Sequence, residues 1–118
     1  MRYALLICTD QSVAISAEEQ SRRITGLMSV QDQLRARGVL VGSELLQPAE
    51  AAVTVRAWDG GDIEIAHGPA VRPKERLTGV FTVECGDVDE AIEVATRIPA
   101  AWYGTIEIRP VCDKQLDT

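Results

Sequence analysis

The chain lacks most of the features by which a sequence declares its chemistry. Its 118 residues include one histidine and three cysteines, and 12 Lys and Arg face 18 Asp and Glu, for a net charge of −6. A cation deficit of this size argues against a dedicated binder of nucleic acid or of an anionic membrane, because phosphate affinity comes largely from clustered Lys and Arg. It leaves room for a local site that takes a small anion. No apolar run approaches the roughly 20 residues that a membrane-spanning helix requires. The opening stretch from Met1 to Cys8 is too short for a secretory signal and stops at Thr9-Asp10, so the expected location is the cytoplasm. Cys8, Cys85 and Cys112 form no C-x-x-C pair; each lies in or beside a strand-like segment and reads as a small buried hydrophobe in a reducing compartment. Scattered cysteines and a lone histidine give no zinc spacing. With no Gly-rich phosphate loop and no nucleophile–base pair either, no metal or cofactor is expected.

What is present is an ordinary globular composition, 46% apolar and 25% charged, which predicts one domain over residues 1–118. There are no internal repeats, low-complexity tracts or linkers. Arg2 to Cys8 holds the run Ala4-Leu5-Leu6-Ile7, and a strand apolar on both faces is usually covered on both. Ser16-Ala17-Glu18-Glu19 has the spacing of a capping box and predicts a helix to about Arg37. Ile24, Leu27, Met28 and Leu34 form its apolar stripe. Gly26 suggests close packing, and Gly38 is placed to stop the helix. Val39 to Gln47 reads as a strand or strand pair. Val53, Val55 and Ala57, then Ile63 and Ile65, alternate with polar residues around Asp59-Gly60-Gly61-Asp62, the pattern of a β-hairpin. Ala66 to Arg76 is the one long irregular segment. Leu77 to Cys85 resumes alternation, Asp87 caps a second helix with Val88, Ile92 and Ala95 as its stripe, and Thr105 to Val111 is a last strand.

The order β-α-β, hairpin, β-α-β fits an α+β ferredoxin-like sandwich with an inserted hairpin. Two helices can cover only one face of its sheet. The other would expose the first strand to water, so a homodimer packed sheet to sheet is expected.

Several segments resemble one family. Met1-Arg2-Tyr3-Ala4-Leu5-Leu6-Ile7 is similar to the M-x-Y-x-L-L-I opening of YCII-related proteins of the DGPF branch. So are Gly38-Val39-Leu40-Val41-Gly42 with Leu46-Gln47-Pro48, and Val53-Thr54-Val55-Arg56. Thr78-Gly79-Val80-Phe81 followed by Asp87-Val88-Asp89-Glu90-Ala91 resembles L-G-G-[FY] … D-x-D-E-A. Arg97-Ile98-Pro99-Ala100-Ala101 through Ile106-Glu107-Ile108-Arg109-Pro110-Val111 resembles A-R-I-P-A-A … V-E-V-R-P-[VI]. The resemblance implies a dimeric αβ-barrel and a small-molecule cleft near the segment D-G-P-F-x-E-x-K-E. It also implies an accessory role, transcription-linked or metabolic, since members often occur beside extracytoplasmic-function sigma factors. Some wider relatives are regarded as enzymes using a His/Asp pair. Here that segment reads His67-Gly68-Pro69-Ala70 and Arg72-Pro73-Lys74-Glu75, so histidine replaces the aspartate, alanine the aromatic and arginine the first glutamate.

The candidate site residues gather there. His67 suits general acid/base work, the competing reading being a structural or solvent-facing side chain. Arg72, Lys74 and Arg76, with Glu75 among them, could hold a carboxylate or phosphate or simply form a solvated loop face. Asp10 could pair with a cation or orient His67. Trp58, Trp102 and Tyr103 could line a pocket, or fill the core or a dimer seam. Two functions follow: a binding or accessory protein holding a small anionic ligand, or a cofactor-free enzyme using His67 on an anionic substrate.

Overall fold

The computed structural model describes residues 1–70 and 74–112. In chain order the described residues form β1 (Arg2–Asp10), α1 (Ala17–Ala36), β2 (Leu40–Leu45), β3 (Val53–Ala57), β4 (Ile63–His67), β5 (Glu75–Glu84), α2 (Val88–Thr96) and β6 (Thr105–Pro110), with 3-10 turns at Ala49–Ala51 and Pro99–Trp102. An antiparallel sheet runs β2-β5-β1-β6, while β3 pairs with β4 alone. This is the α+β ferredoxin-like arrangement, with the hairpin inserted between β2 and β5.

Both helices lie on the same face of that sheet. Tyr3, Leu5 and Ile7 of β1 and Phe81 and Val83 of β5 meet Leu27, Val30 and Leu34 of α1 and Ala91 and Val94 of α2 in one core. Full burial of a side chain such as Leu5 or Phe81 contributes about 1.5–3 kcal/mol relative to exposure. β1 alternates strictly, with Tyr3, Leu5, Ile7 and Thr9 turned inward. Ala4, Leu6 and Cys8 stand half-buried on the opposite, open face.

The helix ends follow the local chemistry. Ser16 Oγ accepts from the Glu19 amide at 3.0 Å. The other half of the expected capping box is absent, because the Glu19 carboxylate turns to Arg22 at 2.7 Å and Arg23 at 3.3 Å. At the far end Gly38 takes φ +74°, its amide bonds to the Arg35 carbonyl, and the Val39 amide bonds to the Leu34 carbonyl. That pair is a Schellman stop, and a residue with a Cβ would be strained in it. Asp87 caps α2 by accepting from the Glu90 amide at 2.9 Å.

The expected apolar stripes are each rotated. On α1, Leu27, Val30 and Leu34 are buried, whereas Ile24 is 43% and Met28 53% exposed. On α2, Ala91, Val94 and Ala95 face the core in place of Val88 and Ile92. A helix held close against a sheet favours small residues at the contact, which alternation alone does not reveal. Val39 to Gln47 contributes one bulged strand, and the segment expected to be irregular is strand at both ends, with Ala66 and His67 in β4 and Glu75 and Arg76 in β5. Cys85 is buried as expected, whereas Cys8 is only half-buried and Cys112 is exposed.

Gly26 packs under the Pro99 ring, where an added Cβ would meet Cγ at 3.4 Å. Gly104 is far more constrained. A Cβ there would run into the Cys8 carbonyl oxygen and meet the Ala100 carbonyl at 3.2 Å. Gly104→Ala is therefore expected to destabilise the fold by about 1–3 kcal/mol. A urea unfolding curve with an unchanged midpoint would contradict this packing.

Candidate functional site

The sequence-predicted residues do not converge on a single pocket in one chain. His67 ends β4 directly across from Val53 and is exposed. Its imidazole makes no hydrogen bond or ion pair among the described residues. Asp10, at the end of β1, accepts from the Ser12 hydroxyl and, at 2.9 Å, from the Ser12 amide. Lys74 Nζ stands 3.8 Å from its other oxygen. The Ser12 hydroxyl bond, helped by the Ser12 amide and Lys74, holds the Asp10 carboxyl below its ordinary range. Asp10 thus lies within ion-pair distance of Lys74, and His67 has no orienting carboxylate among the described residues. Glu75 accepts from Thr105 Oγ1 at 2.6 Å, and both Glu75 and Arg76 border a shallow cavity beside the hairpin root. Arg72 lies outside the described residues. The Cys8 thiol is pushed up by burial and by the carboxylates of Glu75 and Glu107, so it stays protonated rather than becoming a nucleophile.

A different group of residues encloses the better-formed cavity. A space of about 530 Å³ lies between the N-terminal half of α1 and the sheet, at the end of β1. That volume falls inside the range of roughly 300–1,000 Å³ usual for small-molecule sites. Ile7, Ile24, Leu27, Leu45 and Leu46 give it an apolar body. Gln20 and Glu50 also line it, and three local devices place the other polar groups. The first is a β-bulge: Ile7 pairs with Gly79 and Cys8 with Leu77, leaving Thr78 as the extra residue. Bulges re-aim side chains, and this one brings Thr78 Oγ1 to 2.6 Å from Thr9 Oγ1, the one buried polar side chain among the described residues. Thr78 Oγ1 also donates to the Arg76 carbonyl at 3.3 Å, so the pair's two protons are engaged and its spare capacity is in acceptor lone pairs.

The second device is an arginine stacked on an aromatic ring. Arg23 Cζ lies 3.9 Å from the centre of the Tyr103 ring while its Nε bonds Glu19 Oε1 at 3.3 Å. Its terminal amino groups make no hydrogen bond to the described residues, so a preoriented guanidinium borders the cavity with donors to spare. The third is Gln11, whose Oε1 accepts from the Ala49 amide at 3.2 Å and ties the loop after β1 to the turn after β2.

Comparison with known proteins supports one assignment. The YCII-related domain matches residues 1–115. An uncharacterised protein of Rhizobium meliloti is 35% identical over 115 residues, which is 94% of this chain and 92% of that protein. The chain belongs to the YCII-related family. Its fold is that family's α+β architecture, and neither match names a ligand or an activity. Among the described residues of this YCII-related chain no helix is long and apolar enough to cross a membrane. Nor does any group of three His, Cys, Asp or Glu side chains there suit a metal ion.

Sequence reasoning named Tyr103 as a pocket candidate but not Arg23, Thr9 or Thr78. The signal for Arg23 is faint: it sits beside Ile24, a stripe residue that the structure assigns to the cavity wall rather than the core. Thr78 gave none, because a bulge is a property of pairing between strands far apart in sequence.

Burial raises the pKa of Tyr103, with Arg23 opposing and Glu19 assisting, so the phenol is a neutral donor throughout the physiological range. Because the folded state holds this proton longer than the unfolded chain does, stability should fall as pH climbs above about 10. Alkaline absorbance titration of wild type and Tyr103→Phe should show the later-titrating component vanish in the variant. Loss of an early or normal component would contradict this burial.

Proposed function

We propose that this protein is a homodimeric binder of a small, mostly apolar molecule carrying one anionic or hydrogen-bond-accepting end. The carrying observation is the cavity of about 530 Å³, whose apolar walls are joined by an arginine fixed against Tyr103. A binding site needs concave apolar area plus a few fixed polar groups, and this one has both. The body of the ligand rests on Ile7, Ile24 and Leu27. The charged end meets Arg23, and the Thr9–Thr78 pair forms a polar floor beneath it. No nucleophile–base pair lines the cavity among the described residues, which favours binding over catalysis. The dimer rests on the open sheet face, where Ala4, Leu6 and Val80 stand half-buried and Leu77 is exposed. Burying such a strip against a second copy removes its contact with water.

The test uses an aliphatic carboxylate as probe. Octanoate should raise the melting temperature of the wild type more than octanol does. Arg23→Gln should weaken octanoate binding by about 10–150-fold, the equivalent of roughly 1.5–3 kcal/mol for a charge-assisted hydrogen bond. Ile24→Trp, at a partly exposed wall position, should block both probes by filling the space. Equal stabilisation of wild type and both variants would place the site elsewhere.

A further inference from the structure

The β3–β4 hairpin is built as an arm. Its strands pair Val53 with His67, Val55 with Ile65 and Ala57 with Ile63, and residues directly opposite in an antiparallel ladder share a face. One face of the hairpin is therefore apolar along its whole length, closed by His67. Yet Val53, Val55, Ile63 and Ile65 are all between 57% and 67% exposed. Neither strand packs substantially on the main sheet or the helices. The connecting turn is committed, with Gly60 and Gly61 at φ +100° and +95°, so the hairpin is a specified element. A lone two-stranded hairpin is marginal in water and needs a further surface to pack against.

We infer that the arm's apolar face docks on a second copy of this chain, each arm closing over the edge of the other copy's open sheet. This rests on the homodimer proposed above and names how it is made. Two observations select a second copy. The arm leaves the body on the open-face side: a trough of about 730 Å³ is walled by Cys8 and Leu77 of that face and by Ala51, Ala52 and Pro69 at the arm's root. Area points the same way. Four strands of 9, 6, 10 and 6 residues, about 4.8 Å apart, project a face of roughly 500 Å², below the about 800 Å² per partner of a standard interface. The arm, two strands of five residues, adds roughly 160 Å² in projection, and side-chain relief enlarges both. Sheet and arm together reach the range of a stable dimer, and one two-fold operation covers both apolar surfaces on both copies.

The test compares dimer dissociation constants, by light scattering across a dilution series, for wild type, Val55→Asp/Ile65→Asp and Leu6→Glu. The arm variant should dissociate at least tenfold more readily, with an unchanged far-ultraviolet spectrum and an unchanged unfolding midpoint where all forms are monomeric. An unchanged constant in the arm variant beside a weakened one in Leu6→Glu would overturn the arm and leave the sheet-to-sheet dimer standing. Unchanged constants in both variants, or a wild type that never dimerises, would remove the dimer as well. A lowered midpoint in the monomeric arm variant would show that the arm packs on its own body, which also overturns the inference. Val55→Thr/Ile65→Thr, which keeps strand propensity, should weaken the dimer in the same direction.

Discussion

Two helices can shield one face of a four-stranded sheet but not both, and β1 is apolar on both faces. Most of the architecture answers to that constraint. Inward, Leu5 and Ile7 meet the helices and are fully buried; outward, Ala4, Leu6 and Cys8 are left half-covered at the centre of the sheet. A strand apolar on both faces is usually covered on both, and the helices cover only the inner one. The open face and the arm are two surfaces with the same need, and the trough joins them.

The cavity beside α1 arises from the opposite side of the same strand. Where β1 runs out, the pairing with β5 slips by one residue, and the slip brings Thr78 against Thr9 beneath the start of α1. There α1 presents Arg23, Ile24 and Leu27, whereas Val30 and Leu34 of its later turns are close-packed. The cavity is thus the place where helix and sheet stop fitting each other. Arg23 is held by a ring and a carboxylate rather than left to solvent, which reduces the entropy that a ligand's anion would have to overcome.

Order and type of the elements were legible because they depend on local signals: Ser16 and Asp87 as caps, Gly38 as a stop, the Gly60-Gly61 turn, and alternation in the strands. The open face was legible too, from Ala4-Leu5-Leu6-Ile7 alone. The helix faces were less so, because periodicity marks a broad stripe while packing distance decides which edge of it is buried. That is why Ile24, Met28, Val88 and Ile92 remain exposed and Ala91 does not. The cavity was mostly hidden. It depends on a register slip between residues about 70 apart and on a guanidinium stacked across two elements, neither of which leaves a mark in spacing. The segment around His67 drew attention because its residue types are reactive, whereas in the structure His67 finishes the apolar face of the arm.

If β1 is the hinge of this account, its outer face must be covered in solution. Static light scattering of the wild-type chain at micromolar concentration measures this most directly. The expected mass is twice the 12.8 kDa of one chain. A mass of one chain, held up to the highest soluble concentration, would contradict it.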